Sequence, residues 1–369
     1  MRATDAERRR RRTDFVRLCE IQSPSRRERA AADYVTAELG LEVTEDRSAA
    51  QTGADAGNLY ARVPGPEGAP TVLFCAHLDT VPLTGPVEVV EEEGRFANRY
   101  EAILGADNKA AVAAFMAVAR RFGSDPPVGL EFLFTTCEEI ALQGAKAFDR
   151  ALLQADFGFV FDHASPIGEL IVAAPSYFRI EAEFHGHAAH AGIRPEDGRS
   201  AIQAAADALH RMELGRIDAE TTANAGRIEG GTAANVVAER CRLELEARST
   251  DPERATRTVE RMVDALTDAG SDWECDVETQ IEQQFRGYRL ARSAAPVTVA
   301  SSALERLGIE PQYVPTGGGS DANVFNAAGL PCLNVANGTA RNHQPDEFVT
   351  AEALEQALDV ALTLVECSA

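Results

Sequence analysis

The sequence predicts an α/β fold, in which a mostly parallel sheet has helices on both faces and an α+β domain is inserted into the chain. Short apolar runs alternate with helical patterns over most of the 369 residues, which is typical of parallel sheets because each parallel pair needs a crossover. The run over residues 71–77 is apolar throughout, as in central strands covered on both faces. Between residues 175 and 285 the pattern changes to alternating strands followed by long helices, which indicates a second, α+β domain.

Two helices are predicted before the sheet. The first ends at Ser23-Pro24, because the residue before proline disfavours the helical conformation. Ser25 and Glu28 have the spacing of a capping box, so a second helix is expected to begin there and to end at Gly40.

The remaining elements follow from hydrophobic periodicity and turn residues. Outside the insertion, strands are predicted over 41–44, 58–63, 71–77, 131–137, 157–161 and 331–335, a hairpin around Glu93-Gly94, and helices over 109–122, 144–150, 296–307, from Asp321 and over 350–366. Inside it, strands are predicted over 177–184 and 236–247, and helices over 200–214 and from the cap Asp251 to Ala269. Residues 1–174 and 286–369 are therefore assigned to one discontinuous domain and residues 175–285 to the inserted one.

The composition restricts the partners and the compartment. A formal charge of −22 argues against nucleic acid or an anionic membrane, which both favour basic surfaces. The basic run from Arg8 to Arg12 is interpreted as a solvated helix face, with a nucleic-acid or targeting arm as the alternative. Seven cysteines without CxxC spacing suit neither a disulfide framework nor a cysteine-rich zinc site. Since no apolar stretch reaches spanning length and the N-terminus lacks the apolar core of a signal peptide, we expect a soluble cytoplasmic protein.

Acidic residues and one histidine stand where the predicted strands end. They are His77 and Asp79, Asp107, Glu138 and Glu139, and Asp162. Open α/β sheets bind ligands beyond the carboxyl ends of their strands, so these side chains are expected to converge on one crevice. Each residue alone also has a structural interpretation, as a turn, a helix N-terminus or a buried histidine, and it is their joint occurrence that points to a site.

The residue types in this crevice predict a metal site. A histidine with several carboxylates and no thiolate is the ligand set of a hydrolytic zinc, cobalt or manganese site. One ion needs three protein ligands and two ions need about five. His77, Asp107, Glu139 and Asp162 supply four, and His343 is the only histidine in the segment after the insertion. We therefore expect two divalent ions, with zinc as the first choice.

Two further residues beside these ligands have predicted roles. Asp79 projects to the same side as His77 and is expected to fix its tautomer by accepting the ring N–H that faces away from the metal. Glu138 is left unassigned next to a ligand, in the position of a general base that takes a proton from metal-bound water.

With these residues in view, the chain resembles the M20 family of metallopeptidases, and within it the peptidase T-like branch of tripeptide aminopeptidases. The matching segments span most of the chain in the order of the family. They are His77-Leu78-Asp79-Thr80-Val81-Pro82, Gly105-Ala106-Asp107-Asn108-Lys109-Ala110, Glu138-Glu139 with Gly144-Ala145-Lys146, Gly186-His187-Ala188-Ala189-His190-Ala191-Gly192, Gly318-Gly319-Ser320-Asp321-Ala322-Asn323, and His343.

The resemblance implies a division of the ligands between two zinc ions. Asp107 would bridge them, His77 and Asp162 would hold one, Glu139 and His343 would hold the other, and Glu138 would activate a bridging water. The family usually has Asp where Asn108 stands and a cis peptide bond before it. The sequence alone does not show whether the Asp107–Asn108 bond is cis or trans, because a cis bond before a non-proline residue is rare and costs about 3 kcal/mol.

The inserted domain would be the family's lid, which often also forms a homodimer interface. The resemblance implies that His190 stabilises the oxyanion, with a surface histidine as the alternative. Asn235 and Arg248 would contact the substrate, although Arg248 is equally interpreted as part of a structural ion pair. Gly318 and Gly319 would offer backbone N–H groups to the substrate, or form a plain tight turn.

The function predicted from the sequence is therefore hydrolysis of short peptides, with an aminopeptidase acting on tripeptides suggested by the branch resemblance alone. One alternative is an N-acyl amino acid deacylase or a carboxypeptidase on the same scaffold, because fold and metals do not set the substrate. A non-catalytic metal- or peptide-binding protein is the alternative from another class. The presence of Glu138 beside all five ligands argues against it.

Overall fold

The computed structural model of the protein describes residues 2–369. The chain forms two compact units. The first contains the N-terminal part up to Val172, Leu290–Pro315 and Ser320–Ala369, and the second contains Ala173–Arg289 and Thr316–Gly319.

The helices are α1 Asp5–Glu20, α2 Arg29–Glu38, α3 Ala49–Thr52, α4 Ala106–Phe122, α5 Gln143–Ala147, α6 Ala201–Arg211, α7 Pro252–Asp272, α8 Ala295–Leu307, α9 Asp321–Ala327 and α10 Ala351–Cys367. The strands are β1 Thr44–Glu45, β2 Leu59–Val63, β3 Thr71–His77, β4 Val89–Glu92, β5 Arg95–Asn98, β6 Gly129–Thr135, β7 Phe157–His163, β8 Glu169–Ala174, β9 Ser176–His185, β10 Gly215–Arg216, β11 Thr221–Gly230, β12 Arg240–Ser249, β13 Asp276–Phe285, β14 Tyr288–Arg289, β15 Gln312–Pro315, β16 Cys332–Ala336, β17 Thr339–Ala340 and β18 Phe348–Thr350.

The main sheet of the first unit has the strand order β1-β2-β6-β3-β7-β16-β8, and β15 pairs with β8. Its four central strands, β6, β3, β7 and β16, are parallel, and β2 and β8 pair antiparallel with the outer two of them, β6 and β16. The predicted α/β class is thus confirmed. The carboxyl ends of the central strands lie at one edge of the sheet.

Phenylalanines form the centre of the core on one face of this sheet. Phe74 on β3 lies between Phe132 and Phe159 on the neighbouring strands and packs edge-to-face on Phe115 of α4. Burying one such side chain contributes about 1.5–3 kcal/mol. Cys75 points to the opposite face, where its Sγ meets Asp321 at the start of α9. Helices therefore cover both faces, which is why β3 is apolar throughout.

A smaller antiparallel sheet, with the order β17-β18-β5-β4, also belongs to the first unit. The predicted hairpin is its β4–β5 turn. Glu93 and Gly94 have φ values of 52° and 74°, as a two-residue hairpin turn with both central residues in the left-handed region requires.

The second unit contains a five-stranded antiparallel sheet with the order β10-β11-β12-β9-β13. Ile180, Phe184 and Leu243 on its buried face pack with side chains of α6 and α7. On the other face, charged side chains of β9 and β12 form ion pairs such as Arg242 with Glu181. As predicted, Asp251 caps α7, where its side chain accepts from the N–H groups of Glu253 and Arg254.

The structure corrects several details of the prediction. Glu28 is the N-cap residue of α2 but makes no side-chain cap hydrogen bond, so the predicted capping box is wrong. The first strand is shorter and later than predicted, at Thr44–Glu45. Strands β8, β11 and β13 were not predicted.

The basic run on α1 is engaged with carboxylates of the chain itself. Arg8 pairs with Asp359, Arg10 with Glu38 and Arg12 with Glu91. Arg11 is buried rather than solvated. All seven cysteines, which lie within the described residues, have free thiols. Within residues 2–369, none of the helices combines the length and the apolar character that a bilayer-spanning segment needs.

Candidate metal centre

Three adjacent parallel strands deliver side chains to one edge of the main sheet. His77 is the last residue of β3, Asp162 lies near the end of β7, and Glu138 and Glu139 follow β6. Because these strands are neighbours in the order β6-β3-β7, their ends bring the four side chains together. The polar residues terminate apolar strands, so they lie at the rim and not inside the core.

Asp107 reaches this edge from the start of α4, where it has non-helical backbone angles. The Asp107–Asn108 peptide bond is cis. The segment before it is held by the buried carboxylate of Glu347, which accepts hydrogen bonds from the N–H groups of Leu104, Gly105 and Asp107 at 2.8, 2.8 and 3.0 Å. No role was predicted for Glu347 from the sequence.

The two oxygens of Asp107 face two different histidines. His77 Nε2 lies 3.5 Å from Asp107 Oδ1 and 3.6 Å from Asp162 Oδ1. His343 Nε2 lies 3.4 Å from Asp107 Oδ2 and 3.0 Å from Glu139 Oε1. The side chains therefore form two groups, each with one histidine and one carboxylate of its own, and Asp107 belongs to both.

This arrangement fits divalent cations. His77 Nε2 and Asp107 Oδ1 are buried and have no hydrogen-bond partner within the described residues, and such polar atoms are costly to bury unless something binds them. Ligand atoms of His77, Asp107 and Glu139, and likewise those of His77, Glu138 and Asp162, lie within 4.8 Å of one another. Nitrogen and carboxylate donors without thiolates suit zinc, cobalt or manganese.

The electrostatics of the cluster also favour cations. Burial, and next the negative charge of Asp162, raises the pKa of Glu138 well above its ordinary value. Burial likewise raises the pKa of Glu139 and of Asp162. Hydrogen bonds to Asp107 and Glu139 raise the pKa of His343 to about 10. Clustered carboxylates repel one another, and a bound cation reverses that penalty.

Asp79 connects the ends of β3 and β6. His77 Nδ1 lies 3.0 Å from the backbone carbonyl oxygen of Asp79 and 3.4 Å from its carboxylate. The carbonyl is thus the closer acceptor for the Nδ1–H, and Nε2 is left as the metal-facing nitrogen. The carboxylate of Asp79 accepts from the N–H groups of Glu138 and Glu139 at 3.0 and 3.2 Å and from the Ser25 hydroxyl at 2.6 Å.

Asp321 is a further buried carboxylate, and the sequence predicted only the start of a helix at this position. Its Oδ2 accepts from the Thr135 hydroxyl at 2.5 Å, and burial raises its pKa to about 7. In the sequence, Asp321 has the position of a first helical residue, because Ser320 and Asn323 form a capping box around it. Its burial follows from tertiary packing against β3 and β6.

The predicted substrate-contacting residues lie in the second unit. His190 and Asn235 are exposed and stand on neighbouring segments, since the N–H of Ala191 donates to the Asn235 carbonyl at 2.9 Å. The His190 ring accepts from the N–H of Gly192 at 3.2 Å. This arrangement joins the two predicted residues in one loop region.

Arg248 and the glycine-rich segment also meet in the second unit. Arg248 is paired with Glu246 at 3.2 Å, lies over the Tyr177 ring at 4.2 Å and donates to the Gly317 carbonyl at 3.4 Å. The structural ion pair that was the alternative for Arg248 is therefore present. The N–H of Gly318 donates to the Thr316 hydroxyl at 3.1 Å.

Gly319 is explained by packing. A Cβ added at this position would lie 2.2 Å from Cζ of Phe285. The Phe285 ring is in turn fixed edge-to-face against Tyr177, with ring centroids 5.4 Å apart. Only glycine allows the ring to approach the backbone this closely.

Known proteins resemble the chain in sequence and in structure. The model of peptidase family M20/M25/M40 matches residues 73–366. The uncharacterized protein YqjE of Bacillus subtilis is 36% identical over 358 residues, which cover 96% of each chain. The crystal structure of aminopeptidase PepT from Bacillus cereus matches with a TM-score of 0.90 at 34% identity, and that of a tripeptidase from Staphylococcus aureus with 0.92 at 32%, each over 98% of both chains.

Proposed function

Because the chain belongs to peptidase family M20/M25/M40, on its peptidase T-like branch, we propose that it is a metal-dependent aminopeptidase that removes the N-terminal residue of tripeptides. The tripeptide preference is supported by the similar Staphylococcus aureus tripeptidase. The amino-terminal preference is supported by the similar Bacillus cereus aminopeptidase.

The observation that carries the metal-dependent chemistry is the position of Asp107 between His77 and His343. A carboxylate shared by two groups of ligands suits a pair of divalent ions. We assign His77 and Asp162 to one ion, Glu139 and His343 to the other, and Asp107 to both. Zinc is proposed, with cobalt and manganese as alternatives.

The bound ions would supply Lewis acidity towards the peptide carbonyl and the attacking water. Glu138 is proposed as the general base. It accepts the proton that water loses as the water oxygen bonds to the carbonyl carbon, and it returns this proton to the amine when the C–N bond breaks.

The second unit is proposed to contribute substrate contacts. His190 is assigned to stabilisation of the oxyanion, supported by its exposure beside Asn235. Arg248, Gly318 and Gly319 are assigned to one further contact region, supported by the hydrogen bond that joins Arg248 to this glycine segment. If Arg248 binds the carboxylate of the substrate, that carboxylate must compete with Glu246 for the guanidinium group.

Two finer assignments complete the proposal. Strand β13 is an edge of the sheet in the second unit. Its unpaired backbone edge supports a homodimer formed through this unit, and light scattering of the purified protein tests it. The free thiols support a reducing, cytoplasmic compartment.

The proposed function is tested by metal analysis of the purified protein followed by assays on matched tripeptides. The peptides have both termini free, only the N-terminus blocked, or only the C-terminus blocked. We expect turnover that needs the metal and is lost when the N-terminus is blocked. Activity only on N-acylated amino acids, or release of the C-terminal residue, would replace the proposal with a deacylase or a carboxypeptidase.

A further inference from the structure

The turn between α1 and α2, residues 21–28, contacts the ends of two central strands of the main sheet. The Ser23 hydroxyl donates to the Leu78 carbonyl at 2.8 Å, and the N–H of Thr80 donates to the Ser23 carbonyl at 2.9 Å. The buried ammonium of Lys109 donates to the Ser23 hydroxyl at 2.6 Å. The turn is therefore fixed to the segment that follows His77.

Two side chains of this turn reach the backbone around the proposed general base. The Ser25 hydroxyl donates to Asp79 at 2.6 Å. Glu28 Oε1 accepts from the N–H of Cys137 at 3.0 Å, from its thiol at 3.4 Å and, within its own turn, from the N–H of Arg26 at 2.8 Å. Ser25 and Glu28 have the sequence spacing of a helix cap, yet neither side chain caps α2.

Together, two buried carboxylates accept three consecutive backbone N–H groups. Glu28 holds the N–H of Cys137, and Asp79 holds those of Glu138 and Glu139. Backbone N–H groups at the end of a buried strand are costly unless they are bonded, and a charged acceptor makes the stronger bond. The backbone path of the base and its neighbouring ligand is thus set by acceptors from two other segments.

The backbone at this point needs such support. Cys137 has a φ of 54°, in the left-handed region, which costs a residue with a Cβ roughly 1–2 kcal/mol. This conformation turns the chain at the end of β6, and it lies directly before Glu138. Without an acceptor for its N–H, the backbone at Cys137 is expected to relax to a negative φ, which is lower in energy for a residue with a Cβ.

We propose that Glu28 is a positioning residue for Glu138, because its hydrogen bond to the N–H of Cys137 holds the left-handed turn that directs the Glu138 carboxylate. The kinetic consequence rests on the proposed function, whereas the backbone consequence does not. Glu28 bonds to Cys137, whereas the N–H of the proposed ligand Glu139 is held by Asp79, so removal of Glu28 is expected to lower turnover and to leave the metal content unchanged.

The test compares Glu28→Ala and Glu28→Gln with a matched control, Glu131→Gln. Glu131 is also a buried carboxylate, and it accepts from the N–H groups of Gln154 and Ala155, but it lies near the start of β6 and Glu138 follows its end. For Glu28→Ala, we expect kcat to fall about 10- to 100-fold, with KM within about threefold and the metal content unchanged. Glu28→Gln keeps an acceptor oxygen and is expected to retain most of the activity.

Hydrogen exchange of the metal-free full-length protein gives a readout that does not depend on activity. We expect the Cys137 amide to exchange about tenfold faster or more in Glu28→Ala, since it loses an acceptor. Exchange there should be unchanged in Glu131→Gln. If the wild-type protein cleaves no peptide, the proposed function fails, and the exchange comparison alone decides whether Glu28 holds this turn.

A suppressor variant separates positioning from general destabilisation. Glycine adopts positive φ without the Cβ penalty, so Cys137→Gly in the Glu28→Ala background is expected to restore kcat about fivefold or more. The proposal is overturned if Glu28→Ala keeps its kcat within threefold, if it loses its metals in proportion to its activity, if the Cys137 amide exchange does not change, or if the suppressor restores nothing.

Discussion

At the scale of single residues, Glu138 and Glu139 are adjacent in sequence but differ in their surroundings. Glu139 lies against His343 at 3.0 Å, as a ligand of the same ion would. The carboxylate of Asp79 accepts the backbone N–H groups of both residues. The backbone position of each residue is therefore fixed. We therefore propose two separate roles for the pair, a metal ligand and a base.

This difference predicts distinct outcomes for two conservative substitutions. Glu138→Gln removes the proton acceptor but keeps the shape, so kcat should fall about 10²- to 10⁴-fold while both metals remain bound. Glu139→Gln is the matched comparison and is expected to lose metal. Steady-state kinetics and elemental analysis of both variants provide the measurement, and full activity in Glu138→Gln would refute the general-base assignment.

The sequence could predict the residues at strand ends but not the carboxylates that support them. His77 and Asp162 each end an apolar run, and this is a local signal. Glu347 accepts three backbone N–H groups in a buried position, whereas its neighbour Asp346 is paired with Arg341 at the surface. Nothing in the local sequence distinguishes Glu347 from Asp346, because burial is decided by segments far away in the chain.

At the scale of elements, the central parallel strands of the main sheet were predicted well, whereas the antiparallel strands β8, β11 and β13 were missed. The predicted bounds of β3 agree with the structure, since each of its residues from Val72 to His77 is buried. Strand β13 is a sheet edge with mostly exposed side chains, so its sequence carries little hydrophobic signal. Strand β11 also has mostly exposed side chains. A bulge between Ala225 and Arg227 interrupts the alternation of its side chains.

The contact between Gly319 and Phe285 gives a prediction at the same scale. Gly319→Ala places a Cβ against the Phe285 ring, which Tyr177 keeps from moving away. We expect the free energy of unfolding to fall by about 1–3 kcal/mol, as for other overpacked sites. Gly317→Ala is the matched control, because no atom lies within 4 Å of the added Cβ.

Denaturant unfolding of both glycine variants, monitored by circular dichroism, measures this difference. The control should remain within about 0.5 kcal/mol of the wild-type protein. Equal stability of Gly319→Ala and Gly317→Ala would mean that packing against Phe285 does not require glycine at position 319. The proposed substrate contact would then be the better reason for the residue.

At the scale of the whole molecule, the excess of acidic residues includes carboxylates that are buried in the fold. The chain has 58 acidic and 36 basic residues, and many of the acidic side chains are exposed. Asp107, Glu138, Glu139 and Asp162, however, converge at the edge of the main sheet, and three of these carboxyl groups have raised pKa values because of burial. The metal-free fold therefore carries an electrostatic penalty that divalent cations would remove.

Metal binding is accordingly expected to stabilise the folded protein. Ions that bind the native state at about 100 times their dissociation constant add about 2.7 kcal/mol, so reloading chelator-treated protein with zinc should raise the unfolding midpoint by about 5 °C or more. Differential scanning calorimetry of the chelated and the reloaded protein measures the shift. Asp107→Asn weakens the one carboxylate that both groups share, and it should abolish most of the increase. An unchanged midpoint with zinc, cobalt and manganese would contradict a metal centre at this edge of the sheet, since ions that bind only the folded state must stabilise it.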